Sequence, residues 1–189
     1  MNLKEVLGRA QWSTITAAEL DEVVGRISRG GSGDLHTLLH ILGRAGSSRY
    51  RTLMEEYLRY SKDPPIAALA LKVLFRWWGL ADNYRNEVIS SLQGFDWDPD
   101  EYVKLQAISL AGEYLRNHQN REMLEIIYRI FADNAERPLM RSAAYCALCR
   151  AHGAEWRDLP PASRVMDLAT EVNHQLVARI EQYLRESSG

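Results

Sequence analysis

The residues of this 189-residue chain best suited to chemistry are two cysteines and five histidines. Cys146 and Cys149 form a C-A-L-C motif, and His152 follows three residues later. A redox CxxC motif opens a helix after a strand, because the helix N-terminus lowers the pKa of its first thiol. A zinc site needs two further ligands, and His152 supplies only one. Since the motif lies inside a predicted helix, we expect two partly buried structural thiols.

Two other patterns partly match known metal-binding or phosphate-binding motifs but lack their essential residues. His36 and His40 form an H-x-x-x-H pair, yet Thr37 stands where a zinc protease places its glutamate. The segment 30–33, GGSG, lacks the lysine and the preceding strand of a phosphate-binding loop, so it is interpreted as a flexible connector. The sequence therefore predicts no catalytic residue, no metal site and no cofactor.

Composition narrows the class of protein. Apolar residues make up 46% of the chain and charged residues 25%, with a net charge of −2, which is ordinary for a globular domain. A broad nucleic-acid surface needs a basic face, so a nucleic-acid partner is not expected. No apolar run reaches the roughly 18 residues of a membrane span, and no signal peptide is recognisable. We expect one cytoplasmic domain over 1–189, without membrane contact.

Helical segments recur along the chain and must position any site. The stretches 66–79 (IAALALKVLFRWWG), 103–116 (VKLQAISLAGEYLR) and 140–153 (MRSAAYCALCRAHG) are spaced by 37 residues and are apolar at helical intervals. The stripe of the first stretch predicts that Trp77 lies in the interior and that Trp78 packs against a neighbouring helix. Second helices are predicted after each of the first two stretches, at 84–95 and 120–131, and an earlier helix pair at 34–46 and 49–60.

Helix start signals support these boundaries. Asp63-Pro64 and Asp98-Pro99 each match an N-cap followed by proline at the first helical position. Asp98 with Glu101, and Thr16 with Glu19, match the capping-box pattern. At the other end, 161–184 predicts one capping helix whose apolar stripe begins at Val165 and ends at Tyr183.

The segments DPPIAALA, DPDEYVKLQA and ERPLMRSAA share a pattern that resembles HEAT-like repeats, covering about 33–153. The resemblance implies an all-α protein, a right-handed α-solenoid of about four HEAT-like helix pairs. Residues 1–32 would form N-terminal cap helices, and 154–189 a loop and a C-terminal capping helix, because the ends of a solenoid must cover its last core layer.

Two groups of residues are candidates for contact with a partner. The turn DWDPDE (96–101) contains four acidic residues around Trp97. Trp97 can pack on Tyr102. Glu55 and Glu56 could extend this acidic surface. Trp156 and Arg157 lie in the irregular stretch GAEWRDLPP, where tryptophan and arginine are typical interface anchors. Trp12 is similar, but we expect the N-terminal cap to cover it. The predicted partner-binding residues are Glu55, Glu56, Asp96, Trp97, Asp100, Trp156 and Arg157.

The function that the resemblance implies is non-enzymatic protein binding in the groove of the repeats. Small HEAT-like proteins act as adaptors or inhibitors, including immunity proteins that neutralise a partner toxin, and an acidic surface would suit a basic nuclease. The alternative is a HEAT-like alkylpurine DNA glycosylase, for which Trp77, Trp78, Asp82 and Arg85 supply the residue types but a near-neutral chain is unfavourable. A third possibility is chromophore handling, as in HEAT-like bilin lyases, with Trp78 lining a pocket.

Overall fold

The computed structural model describes residues 2–12, 14–30, 34–45, 48–161 and 164–186. Over these ranges the chain is all-helical, without a strand, which confirms the predicted all-α class. Its helices are α1 (Leu3–Ala10), α2 (Ala17–Ser28), α3 (Leu35–Arg44), α4 (Arg51–Glu55), α5 (Pro64–Lys72), α6 (Arg85–Leu92), α7 (Tyr102–Leu115), α8 (Arg121–Ala132), α9 (Pro138–Ala151) and α10 (His174–Glu186). Among the described residues, none of the helices is both long and apolar enough to traverse a bilayer.

The chain divides into two compact units, 1–106 and 107–189, and the division falls within α7. In the first unit α3 is the central element, in contact with α1, α2, α5 and the turn directly after α5. Its residues Leu38, Leu39, Ile41 and Leu42 are at most 1% exposed. A helix this apolar on several sides needs neighbours on more than one side, and α3 has them.

The hydrogen-bonding pattern of helix α5 changes at its C-terminal end. It continues into a π-helical turn, Val73–Trp77, in which the Trp78 amide donates to the Val73 carbonyl at 2.9 Å. The wider turn changes the direction of the side chains near its end, so Trp77 is only partly buried, and its predicted interior position is wrong in that respect. Trp78 does pack on a neighbouring helix, since its indole Nε1 donates to the Gly43 carbonyl of α3 at 3.0 Å.

The predicted helix starts are confirmed in two of three cases. Thr16 and Glu19 form the capping box. Asp63 is the N-cap residue before Pro64 at the start of α5, but its side chain makes no capping hydrogen bond. The capping box at Asp98 is wrong: α7 begins at Tyr102, after Glu101, whose φ is 60°. The buried Asp98 carboxylate still caps α7 from a distance, accepting from the amides of Tyr102 at 3.0 Å and Val103 at 2.8 Å.

Two predicted second helices are shorter than their patterns suggest. In place of a helix over 49–60 there is a 3₁₀ turn, Ser48–Tyr50, followed by α4, which ends at Glu55. In place of 84–95 there is α6, which ends at Leu92 before Gly94 takes a positive φ of 78°. Of the GGSG connector, residues 31–33 lie outside the described part of the chain.

In the second unit α8 packs against α9, and α7 approaches α9 closely at Gly112. A Cβ atom added to Gly112 would lie 2.6 Å from the Cα atom of Ala147. Only a glycine allows the two backbones to come this near. The close approach fixes the ends of α7 and α9, from which the candidate residues of this unit project.

The C-terminal helix begins later than predicted. Residues 164–173 are irregular, α10 starts at His174, and Val165 is 55% exposed rather than part of a buried stripe. Local hydrogen bonds replace the helix: the Asp167 carboxylate accepts from the Ala169 amide at 3.0 Å and the Thr170 hydroxyl at 2.8 Å. Such bonds compete with helix formation at aspartate. Tyr183 is also exposed, at 45%.

Candidate functional site

The predicted acidic surface around Trp97 is only partly acidic. Asp96 and Asp100 are exposed, but Asp98 is 2% exposed and occupied with capping α7. The Glu101 carboxylate accepts from Lys104 Nζ at 3.0 Å. Two of the four acids are thus held by the fold, and the expectation of four acids in one exposed turn is wrong.

Glu55 and Glu56 behave differently from each other. Glu55 accepts a hydrogen bond from the Tyr84 hydroxyl at 2.6 Å and from Arg51 Nε at 3.0 Å. The hydrogen bond from Tyr84, and after it the one from Arg51, lowers the pKa of Glu55. Burial, and after it the hydrogen bond to Glu55, raises the pKa of Tyr84 to about 12. Glu55 therefore joins α4 to the segment before α6, whereas Glu56 is exposed.

Trp97 is held by an aromatic stack. Its ring lies parallel to that of Phe95, with centroids 4.9 Å apart and an interplanar angle of 10°. The guanidinium of Arg59 lies 5.7 Å from the Phe95 ring and is bound by Glu87 through two hydrogen bonds, at 3.1 and 3.2 Å. Tyr102, the expected packing partner of Trp97, is 48% exposed. A cation thus lies close to the predicted acidic surface, but its charge is balanced by Glu87.

In the second unit, Trp156 is supported by a buried arginine. It begins a 3₁₀ turn, Trp156–Asp158, and is 44% exposed. The guanidinium of Arg150, itself buried, lies 4.8 Å from its ring centroid. A guanidinium over an indole face is an attractive contact that orients the ring.

The support is completed by Glu155. Arg116, near the end of α7, donates to one oxygen of Glu155, and Arg150 lies 3.8 Å from the other. The Arg116 hydrogen bond is the main reason that the pKa of Glu155 is lowered. Arg157 projects outward beside Trp156, with 85% of its side chain exposed. The structure therefore holds Trp156 in place and leaves Arg157 in solvent.

The same unit contains a pocket that the sequence patterns did not predict. Its volume is about 190 Å³, and we call it the Arg121 pocket. It lies where α7 and α9 end and α8 begins, and it is lined by Leu115, His118, Gln119, Asn120, Arg121, Leu124, Ala151, His152 and Tyr183.

The two histidines of the Arg121 pocket are held alike. The Nδ1 atom of His118 is 3.0 Å from the Tyr114 carbonyl, and that of His152 is 3.0 Å from the Leu148 carbonyl. A carbonyl only accepts, so each Nδ1 carries the proton. A sequence signal existed: an Arg-x-His pattern marks the C-terminal end of both α7 and α9, in LRNH (115–118) and CRAH (149–152). The arginines of these motifs bind Glu155 and the histidines line the pocket.

The surroundings of the cysteine motif disfavour the thiolate form of both cysteines. Cys146 and Cys149 are free and partly buried, as expected for structural thiols. Burial, followed by the neighbouring Cys149, raises the pKa of Cys146 to about 11, and burial also raises the pKa of Cys149. Thiols with raised pKa values are poor nucleophiles and poor metal ligands.

The other histidine pair lies beside Trp77. The ring centroids of His36 and His40 are 6.3 Å apart, and those of His40 and Trp77 are 5.0 Å apart in a T-shaped arrangement. Burial and then the charge of Arg44 lower the pKa of His40. Within the described ranges, no three His, Cys, Asp or Glu side chains are grouped in a way that could hold a metal ion.

Trp12 was expected to be covered, and this is wrong. It lies just after the last turn of α1 and is 80% exposed, because the chain turns away after α1 and the Trp12 amide bonds back to the Arg9 carbonyl at 3.0 Å. It differs from Trp156 in that none of the described contacts places a charged or aromatic group over its ring.

Comparison with known proteins provides no relative from which a role can be transferred. No family model matches the chain. No curated protein and no solved structure matches it either.

Proposed function

We propose that this chain is a non-enzymatic protein-binding module, and that the turn carrying Trp156 and Arg157 is its principal contact. The observation that carries the proposal is the supported exposure of Trp156: the Arg150 guanidinium lies against its ring, while the residue is 44% exposed. Holding a large side chain in one orientation reduces the entropy lost on association. Tryptophan and arginine are also the residues that most often dominate protein interfaces.

The side chains of Trp156 and Arg157 indicate what kind of partner surface would bind them. An exposed indole fits an apolar pocket, and the neighbouring Arg157 fits a carboxylate at its rim. A basic partner, as an immunity-type inhibitor of a nuclease would have, draws less support, because Asp98, Glu101 and Glu55 are engaged within the fold. Asp96, Asp100, Glu56 and Trp97 are therefore proposed as secondary contacts.

We also propose a HEAT-like repeat arrangement of the helices, and one close contact within each unit supports it. In the first, Gly43 of α3 meets Trp78, 35 residues later. In the second, Gly112 of α7 meets Ala147 of α9, also 35 residues later. Repeating close contacts at one spacing are typical of stacked helical repeats.

The glycosylase alternative is less favoured. Its base-holding tryptophans would be Trp77 and Trp78, but the Arg44 guanidinium lies 4.0 Å from the Trp77 ring centroid. The indole N–H of Trp78 is bonded to Gly43. Both indoles are thus engaged with α3, and an enzyme of that kind would have to displace these contacts before a base could stack.

The proposal is tested by affinity capture with the full chain as bait, followed by native mass spectrometry. We expect a stoichiometric protein partner with the unmodified chain, loss of that partner with Trp156→Ala, and weaker capture with Arg157→Ala. The matched control is Trp12→Ala, which removes an exposed tryptophan from the other unit. Equal capture by the Trp156 and Trp12 variants, with circular dichroism showing both folded, would contradict the assignment of this surface.

A further inference from the structure

We propose that the Arg121 pocket binds a small organic anion, a carboxylate or phosphate attached to an apolar group about the size of one ring. This inference does not rest on the proposed protein-binding function. It concerns only residues of the second unit, and it stands on the size, the lining and the hydrogen-bonding state of one pocket.

The size of the pocket limits the ligand. Its volume is about 190 Å³, and a cavity of about 150 Å³ is enough to hold benzene. Leu115, Leu124 and Ala151 supply apolar lining. An apolar body of one ring, or a short alkyl chain, is therefore the size that these residues can cover.

The polar lining is cationic or hydrogen-bonding, and none of the nine lining residues is acidic. Arg121 provides a permanent positive charge, and one of its guanidinium nitrogens is anchored at 2.8 Å to the Leu184 carbonyl of α10. An anchored guanidinium keeps its direction, and its several N–H groups suit the planar or tetrahedral oxygens of a carboxylate or phosphate.

The two imidazoles contribute in a defined way. His118 and His152 each bond a helix carbonyl through Nδ1, so the other ring nitrogen, Nε2, is the atom left to meet a ligand. An imidazole with a proton on both nitrogens donates from Nε2, and an anion can accept that hydrogen bond. A metal cation would also suit two Nε2 atoms, but it would be repelled by Arg121.

The N-terminal end of α8 also favours an anionic ligand in the pocket. Asn120 caps this twelve-residue helix, its side chain accepting from the Met123 amide at 2.9 Å, and both Asn120 and Arg121 line the pocket. The N-terminal end of a helix carries a partial positive charge and favours anions. It reinforces Arg121 and the imidazoles rather than replacing them.

The test uses three small probes with the full chain: benzoate, phenyl phosphate and the uncharged benzyl alcohol. Affinities are measured by NMR titration, with the imidazole nitrogens of His118 and His152 as reporters. We expect benzoate or phenyl phosphate to shift both Nε2 resonances and to bind at least about tenfold more tightly than benzyl alcohol. Which of the two binds better distinguishes a carboxylate ligand from a phosphate ligand.

Substitutions locate the site. Arg121→Met should weaken organic-anion binding by about tenfold or more, since it removes a charge-assisted contact. Arg129→Met is the matched control, because Arg129 lies on the same helix, exposed and paired with Glu125. Ala151→Leu fills the apolar side of the pocket, so it should weaken benzoate or phenyl phosphate binding without the loss of any charge.

Three results would overturn the proposal. The first is equal binding of benzoate, phenyl phosphate and benzyl alcohol, which would show that charge is not recognised. The second is equal behaviour of the Arg121 and Arg129 variants. The third is an unchanged affinity of Ala151→Leu for benzoate and phenyl phosphate, and this variant provides the test if Arg121→Met does not fold.

Discussion

The indole N–H of Trp78 donates a 3.0 Å hydrogen bond to the main-chain carbonyl of Gly43. The contact brings the turn after α5 against α3 at the one residue of α3 that has no side chain. A Cβ atom at position 43 would lie 2.5 Å from Val73 Cγ2 and 2.9 Å from Trp77 Cε3. Gly43 is therefore part of the packing, although its helix would otherwise favour alanine.

The first prediction concerns this close approach. Gly43→Ala should lower the free energy of unfolding by about 1–3 kcal/mol, the usual cost of overpacking. Gly112→Ala should cost more, because its neighbour is the backbone of Ala147, 2.6 Å away, rather than side chains that can shift. Urea denaturation of both variants measures the difference.

Gly8 of α1 supplies the control for this pair. A Cβ atom there would meet nothing within 4 Å, so Gly8→Ala should be neutral or stabilise by about 0.5–1 kcal/mol. The packing described for α3 would be incorrect if Gly43→Ala stabilised the protein as Gly8→Ala does.

The second prediction concerns the distant cap of α7. Asp98→Ala removes a buried carboxylate that accepts from the amides of Tyr102 and Val103. We expect a loss of about 2 kcal/mol, at the upper end for a helix cap, because the two amides lose a charged acceptor. Thermal and urea unfolding provide the measurement.

Asp100, exposed in the same turn, separates capping from general charge effects. Asp100→Ala should change the free energy of unfolding by less than about 0.5 kcal/mol. If both aspartate variants lost the same stability, the role of Asp98 in starting α7 would have to be abandoned.

The third prediction concerns acid stability in the first unit. Hydrogen bonds from Arg9, and then from the amide and hydroxyl of Thr16, lower the pKa of Glu19 from its ordinary 4.5 to about 2. A carboxyl with a lowered pKa in the folded state stabilises that state above its unfolded pKa, and this contribution is lost as the pH falls through the folded value. The free energy of unfolding should therefore decrease between pH 4.5 and about 2.

Two variants isolate this contribution. Glu19→Gln should make that part of the pH profile less steep, and Arg9→Met should do so to a smaller extent, since Thr16 still donates to the carboxylate. Chemical denaturation at several pH values provides the profile. A slope between pH 4.5 and 2 that is the same in the unmodified chain and in Glu19→Gln would count against the assignment.

The fourth prediction concerns the thiols. Because burial raises the pKa values of Cys146 and Cys149, a thiol reagent such as dithionitrobenzoate should label the folded chain slowly at a pH of about 8, below the ordinary thiol pKa. In denaturant both thiols should react rapidly, because their thiolate fraction then reflects the ordinary cysteine pKa. Fast labelling of the folded chain would show that the C-A-L-C motif is reactive after all.

The sequence was informative where one local pattern decides the structure. Thr16 and Glu19 form a capping box because both partners lie within one turn. Pro64 starts α5 because its fixed φ suits the first helical position, although the Asp63 side chain makes no capping hydrogen bond. The apolar spacing of 103–116 and 140–153 predicted α7 and α9 to within two residues. Helix period and capping chemistry are properties of a short segment, so they can be recognised without the rest of the chain.

The errors arose where distant residues or competing local bonds decide. The segment 164–173 has a helical pattern, but the Asp167 turn and the contact of the Met166 amide with Ser142, at 2.9 Å, hold it in another form. Glu55 looked like a surface acid because its partner, Tyr84, is 29 residues away. The Arg121 pocket depends on the ends of three helices meeting, which no single pattern encodes.

The π-helical turn at Val73–Trp77 affects how the chain should be aligned with any protein to which it is compared. A π turn contains about one residue more than an α turn. An ungapped alignment of this helix with an uninterrupted one therefore places Trp78, the residue at its C-terminal end, about 100° out of phase. Searches for distant relatives should allow a one-residue gap at this position, because an ungapped comparison would pair Trp78 with a residue on a different side of the helix.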